Sequence, residues 1–347
     1  MSLQRAIAQQ RIALETAGHE VAARSMTEAC ERCCKRGHRP HEPDFVASLF
    51  AIGTGLLENR WRPLLGQCGV QIHIGAVFCH QSPLVEFWSP GGLDRCELGD
   101  LMYVHSHCRP TGEWSRTALL YQAKVSREQP LRVGAGPQLD LYTKWPTFEY
   151  VRSGPDLNGK GRSVTPSCQS AGAQYLLIDD RAQASTAPPG PGAYPMGSCI
   201  ADEYLCPHAD LGSALVRLLG FATGRPFDSL AETERRGDQG WSRVVWDLII
   251  AAARKCFRRS RSGFFMEPRA SGDLRPDELD GCMVGGDAIR RGGYLADALG
   301  PEGSAAILGA PAGDGGTMER GRRFHDEEAR GVTIIFVVSA AASEEGK

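Results

Sequence analysis

The stretch "TALLYQAKV", residues 117–125, ends a run of strand-forming residues on an amide and an amine. Gln122 and Lys124 are two positions apart, so on a strand they share a face while Ala123 points to the other. Upstream, Asp100 stands inside a second strand-like run, "CELGDLMYVHSH". If the two runs pair as a hairpin, a carboxylate, an amide oxygen and a lysine converge. Oxygen donors of this kind suit Mg²⁺, which keeps several waters of its own. A metal held there polarises a phosphoryl oxygen and lowers the pKa of a bound water. The lysine is suited to hold the attacking water or to offset charge on a pentacovalent phosphate. Glu97 and Glu86 are further acids near these runs.

Other residues carry weaker chemistry. "CERCCKRGHRPH" offers Cys30, Cys33, Cys34, His38 and His41. The C-x₂-C spacing with nearby histidines is a zinc pattern, but a second C-x₂-C is missing. Reduced helix cysteines and a polar turn are the plainer reading. "HSHC" puts His105 and His107 on one strand face, and solvent-facing histidines are the expectation there; "CIADEYLCPH" is a similar case. Basic clusters occur at Arg254, Lys255, Arg258, Arg259 and Arg261, and at Arg320, Arg322 and Arg323. Each can track phosphates or simply be a solvated helix end. There is neither a G-x-x-x-x-G-K-[ST] loop nor a G-x-S-x-G elbow, which argues against an internal ATPase and an α/β-hydrolase.

The elements that must position these groups follow from periodicity. Residues 3–34 read as one or two helices, and a further helix runs from near Asp44 through "FVASLFAIGTGLLENRW". From Val70 the pattern turns to short strands: "VQIHIGAVFCH", "LVEFW", "CELGDLMYVHSH" and "TALLYQAKV". A short helix is predicted at "GPQLDLYTKW", then a strand pair, "FEYVR" and "AQYLLID". The Pro/Gly-rich stretch 181–198 reads as a loop without regular structure. Helices follow at "ADLGSALVRLLGFATG" and "WSRVVWDLIIAAARKCFRR", with a short one at "GGYLADALG", and "GVTIIFVVSA" reads as a late strand able to return to the main sheet. The expected class is α/β or α+β around a mixed central sheet. The expected organisation is an N-terminal helical segment (1–41), a core (42–180), a loop (181–198) and a C-terminal helical region (199–347).

The chain has 347 residues, twelve cysteines and a formal charge of −2. That length builds a core without staples, and the near-neutral charge argues against a wholly basic nucleic-acid binder. The N-terminus lacks the apolar core of a secretory signal and the sequence holds no run of about 18 apolar residues. A cytoplasmic chain with reduced cysteines and no membrane partner is expected.

Taken together, Asp100 followed by Gln122-Ala123-Lys124 resembles the PD-(D/E)xK nuclease superfamily, also called restriction-endonuclease-like, in its variant with Gln in place of the acid. "QLDLY", with Gln138 and Tyr142 on one helix face, is similar to the Q-h-x-x-Y pattern of exonuclease-type members. The resemblance covers about residues 42–180 and implies an αβββαβ core. It implies a Mg²⁺ or Mn²⁺ ion on Asp100, Gln122 and the Ala123 carbonyl, with Lys124 assisting water attack. Glu58, in "LLENRW", matches the extra acid some members carry on the first helix; Gln138 and Tyr142 match a face that touches DNA or supports the metal. The implied activity is metal-dependent cleavage of nucleic acid, DNA favoured over RNA. By analogy alone, a protein partner or a second copy and a place as an effector of bacterial defence or repair are implied. The alternative is an inactive member that binds nucleic acid or protein. Each residue also has an ordinary reading: turn chemistry for Asp100 after Gly99, a snorkelling amine for Lys124, a backbone-bonded amide for Gln122, and plain helix positions for Glu58, Gln138 and Tyr142.

Overall fold

The computed structural model describes residues 2–79, 83–128, 130–154, 157–165, 172–179, 194–260, 283–285 and 331–341. The predicted helix at "GGYLADALG", and Arg261, Arg320, Arg322 and Arg323, lie outside the described residues, as do the side chains of Arg254, Lys255, Arg258 and Arg259.

Helix α1 (Leu3–Lys35) is a single helix, capped at its start by Ser2, whose Oγ accepts from the Arg5 N–H. The next helical run is α2 (Glu42–Ser48), one π turn (Leu49–Gly53) and α3 (Thr54–Gly66). Then come β1 (Val70–Val77), β2 (Leu84–Ser89), β3 (Gly92–Glu97), β4 (Leu101–Cys108), β5 (Trp114–Val125), β6 (Leu131–Arg132), α4 (Pro137–Lys144), β7 (Phe148–Val151), β8 (Gly161–Arg162) and β9 (Ala173–Ile178). The chain continues through β10 (Met196–Cys199), β11 (Tyr204–Leu205), β12 (Ala209–Asp210), α5 (Leu211–Leu219), β13 (Arg225–Pro226), α6 (Leu230–Arg235), α7 (Trp241–Ser260), β14 (Met283–Gly285) and β15 (Thr333–Ala341).

Among the described residues the main sheet has nine strands, in the order β12-β10-β9-β5-β4-β15-β1-β14, with β13 added beside β5. It is mixed: β4 and β5 run antiparallel, whereas β5 pairs parallel with β9 and β15 parallel with β4. The β-branched run of β15 sits between β4 and β1, buried along most of its length. A four-stranded sheet, β3-β2-β7-β8, and a two-stranded ribbon, β11-β6, stand apart from it.

Helices cover both faces. One core, formed with α1, α2, α3 and α5, takes Leu101, Tyr103, Leu119, Tyr121 and Ala123 from β4 and β5. The other, formed with α4, α7 and strands of the small sheet, takes Met102, Val104, Ala118 and Leu120. The alternation is the strand period of two made visible, and it assigns Gln122 and Lys124 to the α4 face.

Several expectations need correction. "CELGDLMYVHSH" is two strands, because the chain turns at Leu98–Asp100 and sends β3 to the small sheet and β4 to the main one. "FEYVR" and "AQYLLID" do not pair; β7 belongs to the small sheet and β9 to the main sheet. Residues 196–198, read as loop, are in β10, which finds hydrogen-bond partners in β9 and β12; residues 181–193 of that stretch lie outside the described residues. His105 and His107 are buried, not solvent-facing, because α5 and the segment after it cover that face of β4. Their rings each bond Ser339 Oγ on β15, at 3.0 and 2.9 Å, and His105 packs on Phe221. Among the described residues, no helix is long and apolar enough to cross a membrane.

Candidate active site

Register places the site. Leu101 opposes Tyr121, so β4 begins where β5 still has four residues to run. Asp100, one residue before β4, donates its backbone N–H to Tyr121 O at 2.8 Å. Along a strand, the N–H and C=O of one residue face the same neighbour, and the direction repeats every two residues. The amides of Ala123 and Val125 therefore face the edge that β4 has vacated.

Side chains fill that edge. Asp100 Oδ2 accepts from the Ala123 N–H at 2.8 Å and from Gln122 Nε2 at 2.5 Å. With Nε2 committed to the carboxylate, Gln122 Oε1 is buried and has no hydrogen-bond partner among the described residues. Lys124 follows on the same face as Gln122, partly buried, and no hydrogen bond or ion pair engages its ammonium among the described residues. The structure thus brings Asp100 to the Gln122-Ala123-Lys124 segment.

Asp100 is held from behind. The Tyr142 hydroxyl donates to Leu98 O at 2.8 Å, two residues before the carboxylate. A side chain at Gly99 would stand 2.8 Å from Leu120 and 2.9 Å from the Tyr142 hydroxyl, so only glycine lets the turn close this tightly. Burial holds the Tyr142 phenol well above its usual value, with nearby Tyr175 and Asp100 adding to the effect, so it stays a donor. Tyr142 is fully buried and offers no surface to a nucleic acid in this arrangement; it fixes the turn. Gln138 shares its helix face one turn earlier, partly buried, with an Nε2 that has no hydrogen-bond partner among the described residues.

Glu58 is elsewhere. It is buried on α3, where its carboxylate pairs with Arg62 and lies 3.6 Å from His73 on β1, a strand separated from β4 by β15. Burial and then Arg62 hold His73 below its ordinary value. The helical acid that does reach the site is Glu42, in the first turn of α2, whose Oε1 accepts from the Val125 N–H at 3.4 Å. Two carboxylates, Asp100 and Glu42, thus stand on successive outward amides of one strand end. Glu86 is paired with Arg95 in the small sheet.

The sequence's zinc pattern resolves differently from its spacing. Cys33 and His38 come together with Asp44, their ligand atoms all within 4.8 Å of one another, while Cys34 is exposed and His41 contributes its backbone N–H to Asp44. Burial and the neighbouring Asp44 carboxylate push the Cys33 thiol up to about 12.

Comparison with protein-family models, with curated proteins and with solved structures yields no match.

Proposed function

We propose that the chain is a divalent-metal-dependent nuclease with a restriction-endonuclease-like core, acting on phosphodiester bonds at the β4–β5 edge, with DNA the favoured substrate. The observation that carries this reading is the Asp100 carboxylate bonded to both Gln122 and the amide of Ala123, with Lys124 next in line. The order of elements agrees: α3, β1, then the antiparallel pair β4 and β5, then α4 and a parallel β9. In this reading β15 is an addition between the first strand and the pair.

The donor set fits Mg²⁺ or Mn²⁺. Asp100, Gln122 Oε1 and the Ala123 carbonyl are all oxygens, and the orphaned Oε1 is the atom a hard cation would satisfy. A cation bound there supplies polarisation of the phosphoryl oxygen and an acidified water. Lys124 orients a water and places positive charge where the phosphate gains negative charge. Glu42 sits two residues along the same edge, within reach to accept a proton or to hold water. Tyr142 and Gly99 keep the Asp100 turn rigid, so the carboxylate needs no reorganisation when substrate arrives.

Gln122 in place of a second acid lowers the charge of the ligand set, and this favours a second reading, a nuclease-like fold that binds nucleic acid without cutting it. Incubating the chain with single- and double-stranded DNA and with RNA, with Mg²⁺ or Mn²⁺, separates the two. Cleavage that Lys124→Ala abolishes while binding persists supports the enzyme. Binding without cleavage by the wild type supports the second reading.

A further inference from the structure

Two helix ends meet where α1 stops and α2 begins. Helix α1 closes with a turn in which the N–H groups of Gly37 and His38 bond Cys34 O (3.0 Å) and Cys33 O (3.1 Å), with Gly37 at φ +76°. This is the left-handed helix stop that glycine favours. Its fold-back sets His38 over Cys33, where such turns ordinarily hold an apolar pair. In the first turn of α2, the Asp44 carboxylate accepts the His41 N–H at 2.9 Å and so is turned back toward the same junction. Arg32 ties the two ends together, bonding Asp44 O at 3.5 Å and also the Ser48 hydroxyl. Two local motifs and one bridging arginine therefore deliver a thiol, an imidazole and a carboxylate to one place.

The imidazole is already prepared. His38 Nδ1 lies 3.0 Å from Arg39 O, and a carbonyl can only accept, so Nδ1 carries the hydrogen and Nε2 keeps its lone pair. A metal-bound histidine typically shows this arrangement, with its second nitrogen donating to a carbonyl.

We propose that Cys33, His38 and Asp44 form a zinc(II)-class site that clasps the end of α1 to the start of α2. One sulfur, one nitrogen and one oxygen make the mixed donor set of a borderline-soft ion, unlike the all-oxygen set at Asp100. Bond lengths of about 2.0–2.3 Å put ligand atoms of a tetrahedral site closer together than 4.8 Å, so modest side-chain rotation completes it. Water fills the fourth position. Asp44 lies two residues beyond Glu42, so the clasp also fixes the helix turn that carries Glu42 to Val125. The site itself does not depend on the nuclease reading.

The full-length chain, stripped with chelator and titrated with Zn²⁺ against a chromophoric competitor, tests this. The wild type is expected to take up one tight equivalent per chain. Asp100→Asn and Cys34→Ser are expected to keep it. Cys33→Ser and His38→Ala are expected to lose it, and the exposed position of His38 makes His38→Ala the variant least disturbing to the fold, which circular dichroism checks. A wild type that takes up no tight Zn²⁺, or an equivalent that survives His38→Ala and Cys33→Ser, overturns the proposal.

Discussion

Asp100 Oδ2 accepts a 2.8 Å hydrogen bond from the backbone N–H of Ala123, the residue between Gln122 and Lys124. A side chain thus completes the ladder that β4 leaves unfinished. The contact ties the carboxylate to the strand that carries the lysine, so any shift of the Leu98–Asp100 turn moves the two groups apart.

That turn is held by Tyr142, and Tyr142→Phe tests its importance. Removing the hydroxyl leaves Leu98 O without its donor and is expected to cost about 1 kcal/mol of stability. Under the nuclease reading it also lowers kcat more than it changes KM, because substrate never touches the ring. Gly99→Ala, which drives a methyl into Leu120 and the Tyr142 hydroxyl, is expected to be worse on both counts. Urea unfolding alongside cleavage kinetics measures both; an unchanged kcat in Tyr142→Phe contradicts the positioning role.

The two helical glutamates make opposite predictions. Glu42→Gln removes a carboxylate at the β5 edge and is expected to slow cleavage by ten-fold or more, about 1.4 kcal/mol, with little change in stability. Glu58→Gln unpairs Arg62 beneath β1 and is expected to cost stability, near the lower end of about 1.5–3 kcal/mol since Arg62 is half exposed, while sparing cleavage. The reverse pattern would return Glu58 to the site and remove Glu42.

Much of this was legible in residue order. The strand period put Gln122 and Lys124 on one face, and hairpin pairing brought Asp100 to them; both rest on local rules. Glu42 was not legible. The helix read from the sequence starts near Asp44 and leaves Glu42 outside it, whereas α2 begins at Glu42 and tertiary packing brings that first turn to Val125. The place of β15 was hidden for another reason. Its run marks a buried strand, but nothing local says that it enters between β4 and β1, hundreds of residues earlier in the chain. The burial of His105 and His107 is long-range too: α5 and Phe221 cover them, and Ser339, which bonds both rings, comes with β15.

Acid sensitivity follows from those histidines. Burial, then His107, push His105 down to about 3, and burial also lowers His107. His105 stays neutral in the folded chain down to that value, and His107 resists protonation in the same direction, while the unfolded chain takes up protons below about pH 6.5. The His105 contribution is therefore fully present above that pH and falls as pH drops toward 3, by up to about 1.4 kcal/mol per pH unit, and His107 adds in the same direction. Urea midpoints at pH 7, 6 and 5 are expected to fall in that order, and less steeply in His105→Gln. A wild type equally stable at pH 5 and 7 contradicts this.

The most direct test of the central claim is the rate of phosphodiester cleavage, in Mn²⁺ and in chelator, by the wild type, Asp100→Asn and Lys124→Ala at matched folding. The expected result is cleavage that chelator stops and that each substitution reduces by about 10²-fold or more. Cleavage that persists unchanged in Lys124→Ala, or in chelator, contradicts a metal-dependent site built on Asp100, Gln122 and Lys124.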